Sequence, residues 1–158
     1  WLFGVPYDNI DVVIHPQSII HSMVEYIDQS IKAQLSEPTM RTPIQFALSY
    51  PDRLEVKKDD FNFIKNNKLT FEDVDYQKFP CLKLAYESGI KGGTYTTVLN
   101  VANDLAVDMF LNNKIKFIKI NNIIETCLSK HNNISNPDLD DIYGTMQWTE
   151  EYILKELS

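Results

Sequence analysis

The sequence predicts an α+β chain in which a small β-hairpin, with a short strand ahead of it, is followed by an all-α four-helix bundle. Three observations carry this. Residues 19–27 and 31–36 alternate apolar and polar side chains about a short polar turn. Beyond Phe79 apolar side chains recur every three or four positions in four separate stretches. Between these regions, residues 51–79 follow neither period.

Asp11–Val12–Val13–Ile14–His15 is an apolar run ended by Pro16. Proline holds the preceding residue extended and lacks a ladder donor, so a buried strand ending at His15 is expected. In the hairpin, Val24 and Tyr26 flank Glu25, and Ile31, Ala33 and Leu35 alternate with Lys32, Gln34 and Ser36. The turn falls at Asp28–Gln29–Ser30. A left-handed Gln29 there would cost on the order of 1 kcal/mol, because it has a Cβ. Thr42–Pro43 has the form of an N-cap followed by proline, opening a helix that runs to Tyr50 and stops before Pro51. Residues 51–79 carry the charge cluster Lys57–Lys58–Asp59–Asp60 and isolated aromatics at Phe61, Phe63 and Phe71, as a linker packing onto its neighbours would.

The first bundle helix is expected from Pro80 to near Gly89. The second follows Gly92–Gly93, with Thr94 or Thr96 near its cap. Its stripe is Val98, Val101, Leu105 and Met109, widened by Leu99, Ala102, Ala106 and Phe110. The third uses Ile120, Ile123, Ile124, Cys127 and Leu128. The fourth opens at Asn136–Pro137–Asp138 and is expected to bury Leu139, Ile142, Tyr143, Met146, Ile153 and Leu157.

The chain has 158 residues, 44% hydrophobic and 23% charged, which suits a soluble globular protein. Its net charge of −7 argues against nucleic acid or an anionic membrane as the main partner. No apolar run approaches the roughly 18 residues that span a bilayer. Cys81 and Cys127 read as reduced core residues, in keeping with a reducing compartment. Abundant Asn, Ile and Lys, with Lys far outnumbering Arg, point to an AT-rich genome. Trp1, Leu2 and Phe3 make an unusually apolar start, so the chain reads as part of something longer.

Residues 14–41 hold the chemistry, with two of the three histidines, His15 and His21, and a Pro38–Thr39–Met40 loop between strand and helix. Six strand residues span about 20 Å, against ~4 Å between two ligands of one ion, so the histidines do not share a metal. Each reads either as a hydrogen-bonded strand-end residue or as a donor aimed at a substrate oxygen. Met40 is a gap-filler by residue type, but its stiffened loop is a common place for ligand contacts. Asp73–Val74–Asp75 reads as solvated loop carboxylates, Asn103 as a buried amide bracing two helices, and Gly92–Gly93 lacks any phosphate-loop context.

The run His15–Pro–Gln–Ser–Ile–Ile–His21–Ser–Met–Val–Glu resembles a signature of 1-deoxy-D-xylulose 5-phosphate reductoisomerase. Ala33–Gln–Leu, Pro38–Thr–Met–Arg–Thr–Pro–Ile, Tyr50–Pro–Asp–Arg, Leu69–Thr–Phe, Phe79–Pro–Cys–Leu–Lys–Leu–Ala and Leu99–Asn–Val–Ala–Asn–Asp follow in family order. Gln29, Thr39 and Asp104 stand where the family usually has Gly, Asp and Glu.

The resemblance implies the end of a catalytic domain over residues 1–50, a linker over 51–78 and a helical bundle domain over 79–158. It implies NADPH as cofactor, Mg²⁺ or Mn²⁺ held by ligands upstream of this stretch and none within it, a small sugar phosphate as substrate, and a homodimer. It implies His21 as a catalytic and substrate-binding residue, Ser18 beside the same substrate pocket, and Met40 with Pro38 against the nicotinamide. Bacterial cytoplasm or a relict plastid is the expected compartment, and the stretch alone is expected to be inactive. The competing reading is a non-enzymatic interaction module whose hairpin edge pairs with a partner.

Overall fold

The computed structural model of the chain describes residues 3–55 and 61–156. Trp1, Leu2, Leu157 and the Lys57–Asp60 charge cluster lie outside the described residues. Two compact units divide the chain: Val12–Val74 form one, and the residues up to Asp11 together with those from Asp75 onward form the other.

In the first unit, β1 (Ile20–Glu25) pairs antiparallel with β2 (Ile31–Leu35). Tyr26 N–H donates to Ser30 O (2.9 Å) and Gln29 N–H to Tyr26 O (2.9 Å), which closes the turn. Gln29 does take a left-handed conformation (φ 66°), the position glycine favours in such three-residue loops. Asp28 locks the turn by accepting from Ser30 N–H (3.0 Å) and Ser30 Oγ–H (2.6 Å). Those bonds favour its charged form and lower its pKa.

The run before Pro16 differs from expectation. Only Ile14 pairs, exchanging two backbone hydrogen bonds with Glu72 (2.9 and 3.0 Å). One rung covers little surface, and Val12 and Val13 are exposed rather than buried. α1 spans Arg41–Ser49, starting before the expected Thr42 cap. Pro43 is its third residue, where the amide it lacks would have had no intrahelical partner. Thr39 Oγ1 accepts from Arg41 N–H (3.3 Å) at this end. The Tyr50–Pro51 peptide is cis.

In the second unit, α2 (Pro80–Lys91), α3 (Tyr95–Leu111), α4 (Ile118–Lys130) and α5 (Leu139–Glu156) form the bundle. Its core is Val98, Ala102, Ala106, Met109, Ile120, Ile123, Ile124, Cys127 and Ile153. The stripes expected for α3 and α4 are largely these residues. Asn103 is half-buried at the stripe's edge. Both cysteines are free, and burial pushes the Cys127 thiol up to about 11.

α5 corrects the sequence reading twice. Asp138 caps it rather than Asn136: Asp138 Oδ1 accepts from Asp141 N–H (2.8 Å) while Asp141 Oδ2 accepts from Asp138 N–H (3.1 Å). Its inner face is Thr145, Thr149 and Ile153, with Leu139 and Tyr143 exposed. Thr149 can be buried because its hydroxyl donates to Thr145 O (2.8 Å), which satisfies the one polar group it brings inside.

α2 continues past Gly89 to Lys91. Gly89 lies under the Tyr7 ring, where a Cβ would collide with the phenol. Tyr7 meets Tyr86 edge-on (6.1 Å), and Tyr86 Oη–H donates to Ile10 O (2.7 Å), so the segment around Tyr7–Asn9 packs on α2. Gly93 is needed for a similar reason: its φ is 60°, and a Cβ would strike the Ile134 carbonyl. The buried Thr94 then ties this corner together, with its hydroxyl 2.6 Å from His131 Nε2 and accepting from Ile134 N–H (3.0 Å).

Candidate active site

Two ladder registers meet in the hairpin. Ile20 pairs with Leu35, but Ser22 pairs with Gln34, so His21 is an extra residue on β1. A bulge of this kind re-aims the side chain it carries and is frequent beside active sites. His21 is exposed, and its Nε2 lies 2.9 Å from Ser36 Oγ.

Ser36 reaches in three directions. Its N–H donates to Ile19 O (3.1 Å), continuing the ladder past the bulge. Its hydroxyl meets His21 and also donates to Glu37 O (3.1 Å). That same carbonyl accepts from Thr39 N–H (2.7 Å) in a tight turn about Pro38. A chain of hydrogen bonds therefore links His21 to the Pro38–Thr39–Met40 loop. Pro38 is exposed in this turn, and Met40 is 68% exposed at the head of α1. Met40, Ile44, Leu48 and Leu54 line an open, mainly apolar groove with Arg41 and Gln45 among its polar members. The exposed thioether and groove suit one face of a planar aromatic ring.

Ser18 sits on the turn that delivers β1. Its N–H donates to His15 O (3.0 Å), and its φ is 53°, a strained conformation for a residue with a Cβ. Ser18 is exposed, whereas the next residue, Ile19, is buried. His15 faces elsewhere: its Nδ1 lies 2.8 Å from Thr70 O and its ring stacks on Phe71 at 4.9 Å. It is the hydrogen-bonded strand-end histidine of the plainer reading.

Sequence reasoning passed over Gln17 and Ser36. Gln17 Nε2 donates to Thr70 Oγ1 (2.7 Å) and its Oε1 accepts from Thr70 N–H (3.0 Å), so one carboxamide holds residues 53 positions apart. Its signal was an amide, donor and acceptor in one group, between two turn residues. Ser36 gave none, because its role depends on the bulge. Among the described residues no three His, Cys, Asp or Glu side chains are grouped to hold a metal.

Hairpin and bundle define a mixed α+β class, in which a small sheet presents exposed polar side chains and a helical unit supplies the core. The chain belongs to the DXP reductoisomerase C-terminal domain family, whose model matches residues 35–152. It is 54% identical over 157 residues to the 1-deoxy-D-xylulose 5-phosphate reductoisomerase of Caldanaerobacter subterraneus subsp. tengcongensis, covering 99% of this chain and 41% of that one. The Listeria monocytogenes enzyme is 52% identical over 154 residues, covering 97% and 40%. A solved structure of the Zymomonas mobilis reductoisomerase in complex with NADPH matches with a TM-score of 0.89 at 39% identity, covering 99% of this chain and 42% of that one. A solved DOX-P reductoisomerase with fosmidomycin and magnesium matches at a TM-score of 0.87 and 34% identity, covering 99% and 43%. The chain thus spans about two fifths of the length of the relatives it matches.

Proposed function

We propose that these residues form one wall of the active site of an NADPH-dependent reductoisomerase that converts 1-deoxy-D-xylulose 5-phosphate to 2-C-methyl-D-erythritol 4-phosphate. The observation that carries this is a bulged histidine tied through Ser36 and Glu37 to the Met40 loop, in a chain of this family. His21 donates a hydrogen bond to a substrate oxygen, and Ser18 borders the same sugar phosphate. Met40 presses on the nicotinamide, with Pro38 fixing its loop. NADPH supplies the hydride when bound. Mg²⁺ or Mn²⁺ has no ligand set among the described residues. Its ligands belong to parts of the family fold outside this stretch.

The family division reads residues 1–50 as the end of the catalytic domain, 51–78 as the linker and 79–158 as the bundle domain, whereas by packing residues 3–11 go with the bundle and the stretch up to Val74 with the hairpin. The enzyme works as a homodimer in bacterial cytoplasm or a relict plastid. The relatives above come from bacteria, and no helix among the described residues is long and apolar enough to cross a membrane.

The test is His21→Ala in a family-length enzyme carrying these 158 residues. Steady-state kinetics should show kcat/KM lowered roughly 10–1000-fold, the range for a positioned donor. A value equal to that of the parent enzyme overturns the assignment.

A further inference from the structure

We infer that Ser36 is a positioning residue that fixes the His21 ring as its Nε2–H tautomer, leaving Nδ1 as the nitrogen offered to a ligand. The role of that nitrogen in the reaction rests on the reading of His21 given above. A proton count carries the inference. The Ser36 hydroxyl has one proton and two acceptor lone pairs. The Glu37 carbonyl 3.1 Å away can only accept, and a proton turned toward His21 would leave the two oxygens facing each other with no hydrogen between them, so we assign the proton to Glu37 O. With that assignment Ser36 Oγ is an acceptor toward His21 Nε2 at 2.9 Å, and the ring nitrogen carries the hydrogen. Glu37 O, with two lone pairs, takes the Thr39 amide as well (2.7 Å), which holds it in place. Ser36 itself is pinned by its own N–H to Ile19 O (3.1 Å).

The bulge makes this arrangement consequential. As the unpaired residue of β1, His21 has no directly opposing side chain on β2 to orient its ring. With Nε2–H committed to Ser36, a neutral His21 offers Nδ1 only as an acceptor. It becomes a donor toward a substrate oxygen only when protonated. A ring freed from Ser36 can turn, so that neither nitrogen is held toward the ligand.

Long-range ¹H–¹⁵N correlation spectra of the ¹⁵N-histidine-labelled chain, with the ring neutral and assigned through a His21→Asn variant, report the tautomer directly. The wild type should show the Nε2–H pattern at His21, Ser36→Thr should keep it, and Ser36→Ala should shift it to averaged, mixed-tautomer values. An Nδ1–H pattern in the wild type, or a Ser36→Ala spectrum identical to it, overturns the inference. In the family-length enzyme, Ser36→Ala should lower kcat/KM roughly 2–12-fold, the range of one neutral hydrogen bond. Ser36→Thr should restore it. A slow His21→Ala enzyme combined with an Nδ1–H ring sinks the Ser36 assignment and leaves His21 standing.

Discussion

The two units are held by different forces. In the helical unit Val98, Ala102, Ala106, Cys127 and Ile153 have no solvent exposure, and Ile124 has 1%. In Val12–Val74, Ile19 is the one hydrophobic side chain among the described residues that is buried. That unit is organised instead by polar clamps: His15 and Gln17 on Thr70, Asp28 on Ser30, and Ser36 on His21 and Glu37. Apolar burial is non-directional and rewards volume, whereas hydrogen bonds reward geometry. The His21 ring is held by the second kind.

That contrast can be broken most forcefully at Ile124. Ile124→Ala should cost about 2–5 kcal/mol, the range for emptying a buried aliphatic site. Urea unfolding would measure it, with faster labelling of the Cys127 thiol as the sign of opening. Equal loss of the His21 and Cys127 signals would show that the units unfold as one.

Gln17→Ala should cost about 1–3 kcal/mol, because it leaves the half-buried Thr70 N–H without its acceptor. Amide exchange should quicken at Thr70 and stay unchanged at α3 residues such as Ala106. A uniform increase would erase the distinction between the units.

Gln29→Gly is a smaller change of opposite sign. It relieves a left-handed Gln and should stabilise the turn by about 1 kcal/mol or less, offset in part by the extra freedom of glycine when unfolded. A lower thermal midpoint would contradict this.

His131 sharpens the contrast through pH. Burial against Tyr95 and Trp148 lowers its pKa from 6.5. The unfolded chain therefore takes up the proton first, so stability is retained above pH 6.5 and lost as pH falls below it. Denaturation midpoints followed downward from neutral pH should decline, with a smaller decline in His131→Gln.

Much of the fold was legible because period and punctuation agreed. The α4 stripe of Ile120, Ile123, Ile124 and Cys127 is buried as its spacing indicates. Pro80 opens α2 and Gln29 is left-handed, both as local chemistry requires. The failures have physical causes. Thr145 and Thr149 read as polar but are buried, Thr149 with its hydroxyl donating to the Thr145 carbonyl, which moves the α5 face by part of a turn. Thr42 looked like a cap, yet Thr39 supplies the side-chain oxygen near that end. The site was legible only in part. His21 and Met40 stood out by type and setting, but a bulge leaves no mark on the pattern of a single strand. Ser36 therefore remained invisible until both strands were in register.

The extra residue on β1 also separates what can vary from what cannot. Every ladder partner of the hairpin is counted from one side of His21 or the other. Replacing that side chain alters the chemistry offered to a ligand without touching a rung. Deleting the residue would merge the two registers and slide one strand past the other. For the ladder, position 21 is thus open to exchange and closed to loss.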